Sequence, residues 1–177
     1  MEFDQGHMFG RLPSHPRVKV QPMRPILLLL AFACAHASAQ IVLRINDAPP
    51  VTIAASDIAK MPRHTAVLND HGKQINYEGV LLHDVLAKGG VDFGGGLRGK
   101  QLSSYVAALA SDGYEVVYAL AEFDPTVMDS DLIVADKREG QALSASEGPL
   151  RIIVPHDKRP TRSIKMLHEI DVVQLKK

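Results

Sequence analysis

Four cations fall within eight residues near the C-terminus: Lys158, Arg159, Arg162 and Lys165. They follow directly on the apolar run Leu150 to Val154, which places them on a loop and a helix start at the end of a strand. Backbone N–H groups at a helix start would reinforce the positive field, so the chemistry on offer is binding of an anion or an electron-rich ring. A solvated basic loop has the same composition, and charge alone favours that description. The remaining motifs are weaker. His64, His71, His83, His156 and His168 form neither H-x-x-x-H nor H-x-H pairs, so they give little support for a preformed metal site, and His83 is expected on the solvent side of its helix. Asp129-Ser130-Asp131 supplies two hard carboxylates with no third at a useful spacing, and a polar turn before Leu132 explains it. Gly94, Gly96 and Gly99 spell G-x-G-x-x-G, but a helix precedes them and a strand follows, the reverse of the dinucleotide-binding order. Nothing resembles the G-x-S-x-G elbow of a serine hydrolase.

The elements that must position the cations are short and apolar, separated by Gly, Pro, Asn and Asp. Ile41 to Ile45, Gln101 to Ala108, Tyr114 to Leu120, Leu132 to Ala135, Leu150 to Val154 and Ile170 to Leu175 read as strands. Ser56 is expected to cap a brief helix through Lys60, and Val80 to Lys88 carries Leu82, Val85 and Leu86 at helical spacing before Gly89-Gly90. Ser163 to His168 has room for one or two helical turns. About six strands with few helices and no βαβ alternation imply an α+β domain, with a mixed sheet or barrel-like core and short helices.

The N-terminal region reads differently. Met23-Arg24-Pro25, the run Ile26 to Ala35 and the ending Ala37-Ser38-Ala39 are the three parts of a secretory signal peptide. The apolar run is about ten residues, against the roughly 20 that span a bilayer. Residues 1–22 read as a non-native or mis-called extension, 23–39 as the cleavable leader and 40–177 as one mature periplasmic domain that is not membrane-embedded. From Gln40 onward 16 Lys and Arg face 18 Asp and Glu, a balance that argues against a nucleic-acid partner. The sole cysteine, Cys34, leaves with the leader, and with it any thiol nucleophile or thiolate ligand.

Motif order carries a family resemblance. Tyr77-Glu78-Gly79-Val80-Leu81-Leu82-His83-Asp84-Val85-Leu86 resembles the W/Y-x-G-V-x-L-x-x-L-L segment of the molybdopterin-binding domain of the sulfite oxidase family. Ser111-Asp112-Gly113-Tyr114 is similar to its S-x-D-G-Y strand entry, and Leu132 to Ala135 with Gly140 to its L-L-A…N-G hairpin. Gly148-Pro149-Leu150-Arg151-Ile152-Ile153-Val154-Pro155 resembles its G-x-P-L-R-L-V-V-P run, and Arg162 to Leu167 stands at its A-R-x-V-K-W-L segment. The resemblance spans Ile41 to Leu175 and implies that domain's fold.

It also implies a site. Arg162, Ser163 and Lys165 fall where the family contacts the cofactor's pterin and phosphate end, and Arg151 at another cofactor contact. Asp112 and Tyr114 enter the same region. On chemistry alone, Glu122 or Asp124 could accept the paired N–H donors of a pterin's amino-pyrimidine edge. The family's molybdenum-ligating cysteine has no counterpart in Val67 to Gly72, and Glu147 stands where a histidine often precedes the G-x-P-L-R run. Cysteine-less branches of this fold include exported proteins that bind reduced pterins and report to membrane enzymes controlling cyclic-di-GMP. The resemblance therefore implies a periplasmic pterin-binding module with a small-molecule pterin and the periplasmic domain of a membrane signalling protein as partners, a molybdenum cofactor and catalysis not being expected. The alternatives are a molybdopterin-dependent oxidoreductase whose metal is held through His71 or Asp70, and an adaptor without a ligand.

Overall fold

Burial that alternates residue by residue sets the first strand. In β1 (Gln40–Ile45), Ile41 and Leu43 are fully buried while Gln40 and Arg44 face water, the period a pleated strand imposes. The computed structural model describes residues 39–176, so the extension at 1–22 and the leader at 23–39, Ala39 apart, lie outside the described residues. After β1 come β2 (Val51–Ala54), α1 (Ala55–Ile58), β3 (His64–Asp70), β4 (Lys73–Leu81) and α2 (Leu82–Lys88). Then follow β5 (Ser104–Ala110), β6 (Glu115–Ala119), β7 (Ile133–Arg138), β8 (Gln141–Ala142), β9 (Arg151–Ile153) and β10 (Leu167–Gln174). Among the described residues no helix is long and apolar enough to cross a membrane.

The strands form two five-stranded sheets. One has the order β2-β1-β10-β5-β6, with β1 and β10 parallel and its other pairs antiparallel. The other runs β3-β4-β7-β8, and β9 also pairs with β7. The α+β expectation holds, but the sheets are open layers and do not roll into a barrel, since β2 and β6 are edges of one and β3 of the other. The main core lies against Ile41, Leu43, Val106, Ala108, Val134, Ile152 and Val172, with Leu82, Val85 and Leu86 of α2. A smaller cluster of Leu68, Ile75, Tyr77, Ile133, Ala135 and Ile153 covers the opposite face of the second sheet. Burial on both faces explains why Leu132 to Ala135 and Ile152 to Val154 are uninterrupted apolar runs in the sequence.

Several expected elements shift. Ser56 lies inside α1 and caps nothing; Ala54 precedes the helix with no side-chain hydrogen bond. β4 continues to Leu81, so α2 begins two residues later than the spacing of Val80 suggested. His83 is partly buried, its Nδ1 2.9 Å from the Phe123 carbonyl and its ring 4.4 Å from that of Phe93. Ser163 to His168 is not helical. Backbone N–H groups of Ile152 and Leu167 donate to the Ile164 and Leu150 carbonyls at 2.9 and 2.8 Å, which draws the segment into extended pairing beside Leu150 to Ile152. Only a three-residue 3-10 turn, Pro160–Arg162, remains, so no helix start reinforces the cations.

Gly79 registers β4 against β7. A Cβ at this position would run into the Val134 carbonyl and the Ala135 backbone, and the pairing shifts register at Glu78/Gly79. Because backbone cannot move aside as a side chain can, Gly79→Ala is expected to destabilise the domain by at least the roughly 1–3 kcal/mol of ordinary overpacking, read as a lower midpoint in urea denaturation.

Candidate functional site

The loop between β9 and β10 is held from three sides. The Val154 N–H donates to Ser163 Oγ at 2.9 Å, and Arg151 Nη2 donates to the Ser163 carbonyl at 3.2 Å. From β6 and the turn before it, the Tyr118 hydroxyl donates to the Arg162 carbonyl and the Tyr114 hydroxyl to the Thr161 carbonyl, the latter at 2.8 Å. Arg162 grips Asp157 through Nε and Nη2 at 2.9 and 2.8 Å and reaches Glu122 through Nη1 at 3.2 Å, with its guanidinium over the Tyr118 ring. The bond to Asp157 holds the Arg162 pKa above its ordinary value; partial burial opposes this and Glu122 adds to it. Burial pushes the Tyr118 hydroxyl well up, so it stays a donor. These ties leave Pro160 and Thr161 as a ridge with a cleft on either side.

The first cleft, about 190 Å³, brings together four of the residues singled out from sequence: Asp112, Tyr114, Ser163 and Lys165. Asp112 Oδ1 accepts the Tyr114 N–H at 3.0 Å, a local turn that sets both side chains. Tyr114 is 50% exposed, an aromatic face available beside Pro160. Lys165 has no ion-pair partner among the described residues, whereas Ser163 is buried with its hydroxyl already accepting from Val154. A flat ring can lie against Tyr114, Asp112 can accept from N–H donors at its rim, and Lys165 can meet a negative edge.

The other candidates stand elsewhere. Arg162 is tied to both Glu122 and Asp157, so it brings no free cation to the cleft. Arg151 is only 2% exposed and Glu147 6%: Arg151 Nη1 donates to Glu147 Oε1 at 3.0 Å and to the Tyr77 hydroxyl at 2.9 Å, while Arg138 donates to the same Oε1 at 3.2 Å. Burial lowers the Arg151 pKa, with Tyr77 and Glu147 opposing that shift. Arg151 thus supports the loop from beneath and lines neither cleft. Asp124 is fully buried beyond β6, where its carboxylate accepts from the N–H groups of Gly94 and Thr126 at 2.8 Å and from the Thr126 hydroxyl at 2.7 Å. Desolvation alone would raise its pKa, but the bonds from Thr126 and Gly94, with His83 nearby, hold it below the ordinary carboxylate value. The carboxylate in the cleft is therefore Asp112.

The second cleft, about 560 Å³, lies between Lys158, Arg159 and the ridge on one side and the β3–β4 turn at Asn69, His71 and Gly72 on the other. That turn has both central residues at positive φ, His71 at 51° and Gly72 at 85°, with Asn69 Oδ1 accepting the Gly72 N–H at 2.9 Å. No sequence motif joins residues 69–72 to 158–161, and only the packing of β3 against the Pro160–Arg162 turn does so.

Two outcomes are expected from this arrangement. Glu147→Ala strands a buried guanidinium and should cost about 3–5 kcal/mol in urea denaturation, with part recovered in Glu147→Ala/Arg151→Met. The Asp124 carboxylate, depressed in the folded state, stabilises fully above its unfolded pKa of about 3.9 and loses that contribution as pH falls through its folded value. The stability gap between the native protein and Asp124→Asn should accordingly narrow below about pH 4, measured as denaturation midpoints across that range.

Comparison with known proteins agrees with this fold. The family model described as the oxidoreductase molybdopterin binding domain matches residues 51–177. Among solved structures, the sulfane dehydrogenase SoxCD from Paracoccus pantotrophus shares the fold with a TM-score of 0.57 at 17% identity, over 75% of this chain and 37% of that one. This chain therefore spans well under half the length of that protein. No curated protein sequence matches it. With the family model covering most of its length, the chain belongs to the oxidoreductase molybdopterin-binding domain family.

Proposed function

We propose that this protein is an exported pterin-binding module that keeps the family's cleft and dispenses with its metal. The observation that carries the reading is the cleft of Asp112, Tyr114 and Lys165 beside the Pro160–Thr161 ridge. It brings together an aromatic face and an acceptor for an amino-pyrimidine edge from the β5–β6 turn with an unpaired cation from the β9–β10 loop. The organic and metallic halves of the family's cofactor fare differently against these residues. Tyr114 and Asp112 suit the pterin ring. The metal lacks a soft donor, because the only cysteine is Cys34 in the expected leader, and no group of three His, Cys, Asp or Glu among the described residues could hold an ion. At the β3–β4 turn Asp70 and His71 stand 3.6 Å apart and exposed, with Lys158 and Arg159 across the cleft from His71, a setting that repels a cation.

The leader at 23–39 supports a periplasmic location, and its single arginine before the apolar run suits export of an unfolded chain. A cofactor inserted before export would require a folded passenger. A ligand-loaded module outside the membrane is suited to pass its occupancy to the periplasmic domain of a membrane signalling protein, the partner class the family resemblance suggested.

The deciding experiment is mass spectrometry of small molecules released from protein purified from a bacterial periplasm, with elemental analysis of the same sample. A pterin near one per chain without molybdenum supports the reading, and Lys165→Ala should then weaken it about tenfold, the worth of one charge-assisted contact. Stoichiometric molybdenum would favour the oxidoreductase with ligation through His71 or Asp70. An empty extract that stays empty when reduced pterins are added would leave an adaptor.

A further inference from the structure

β6 is an edge of the first sheet, and most of its outward backbone is unanswered. The Ala110 N–H donates to the Tyr114 carbonyl at 2.9 Å, which fixes the alternation of the β5–β6 ladder. Val116 and Tyr118 turn their N–H and C=O groups towards β5, so Glu115, Val117 and Ala119 turn theirs away from the sheet. The Ala119 N–H is provided for, since it donates to Glu122 Oε1 at 3.0 Å. The N–H and C=O groups of Glu115 and Val117, and the Ala119 carbonyl, have no partner among the described residues. Free edges are usually blunted by Pro, charge, a bulge or shortness. β2 has four residues and follows Pro49-Pro50, and β3 carries His64, Thr65, Asn69 and Asp70. β6 has neither Pro nor Lys, its pairing with β5 keeps one register, and its single charge, Glu115, stands at one end. At its centre Val117 is 55% exposed. On the same face, Tyr105, Leu109 and Val173 are only partly buried and continue an apolar stripe across β5 to β10.

We infer that β6 pairs with β6 of a second copy of this chain, antiparallel about a two-fold axis at Val117, so that the two five-stranded sheets join edge to edge. The strand is complementary to itself in this register. Val117 exchanges two hydrogen bonds with the partner's Val117, and the Glu115 N–H reaches the carbonyl of the partner's Ala119, twice by symmetry. The Ala119 N–H needs no further acceptor, because Glu122 already serves it. Val117 against the partner's Val117 is an apolar cross-strand pair, and Glu115 faces a small residue. An axis at Glu115 would instead set two carboxylates directly opposite, which is destabilising. Pairing of this kind uses up the edge on both copies and closes at a dimer. Tyr114, which precedes β6, lines the first cleft, so the interface begins beside that cleft and does not depend on what the cleft binds.

The test is sedimentation equilibrium of the exported chain across the micromolar range, with crosslinking of cysteine variants. Residues 40–177 contain no cysteine, so an introduced thiol is unambiguous once the native protein has been treated with the same reagent. The native protein is expected to sediment as a dimer, and Val117→Lys as a monomer with an unchanged far-ultraviolet circular dichroism spectrum. With a short bismaleimide, Val117→Cys should crosslink to its copy, since paired Cα atoms lie about 5.5 Å apart. Glu115→Cys should crosslink poorly, because four residues of strand hold the two thiols about 14 Å apart. A native protein that is monomeric throughout overturns the inference. A dimer that survives Val117→Lys overturns the use of this edge. Crosslinking of Glu115→Cys as complete as that of Val117→Cys overturns the register, and Val117→Cys that fails to crosslink within a dimer removes the two-fold at Val117.

Discussion

The buried pairing of Arg151 with Glu147 is the constraint on which the rest of the site depends. A guanidinium withdrawn from water is tolerable only if its donors are answered. Here Glu147, the Tyr77 hydroxyl and the Ser163 carbonyl answer its two Nη groups, from the segment before β9, from β4 and from the cleft loop respectively. One side chain thereby fastens the second sheet to the loop that carries the Pro160–Thr161 ridge. Among the described residues Glu147 Oε2 and Arg151 Nε have no hydrogen-bond partner. The cluster is therefore incompletely satisfied, and it specifies one arrangement of the loop at a cost in stability.

The same loop is fastened from above by a second arginine. Arg162 is held by two carboxylates and backed by Tyr118, so its contribution is shape. With Arg151 below and Arg162 above, both spent on internal partners, the cations left for a ligand are Lys158, Arg159 and Lys165. They lie on the two sides of the ridge, and this division gives the site two parts of different chemistry.

The proposed reading separates the pterin of the family's cofactor from its metal. The fold supplies a cleft bordered by the β5–β6 turn and the β9–β10 loop, and those elements are complete here. The resemblance puts the metal's soft donor at one residue before the Y-x-G-V segment, and a different side chain there does not disturb a sheet whose register is set by Gly79 and the apolar faces of β4 and β7. On the proposed reading, the scaffold keeps ring recognition without a thiolate for the metal.

Much of the fold was legible in the sequence because the strands it uses are apolar runs bounded by turn residues. Leu132 to Ala135 and Leu150 to Val154 were readable for that reason. β3 and most of β4 were not, since His64 to Asp70 and Lys73 to Tyr77 alternate polar with apolar residues too weakly to stand out, and their pairing is fixed by a turn with two positive-φ residues. Residue types and motif order by themselves determined the family and the absence of cysteine from residues 40–177. Only the tertiary structure decided which charges are free. Arg162 and Glu122, or Arg151 and Glu147, look like independent ligand groups along the chain, and it is their approach across 40 and 4 residues that cancels them. Asp112 reads like any turn carboxylate until Thr161 and Lys165 are brought against it. A sequence records which side chains carry charge; whether that charge is spent inside the protein depends on distances of about 3 Å that folding alone sets.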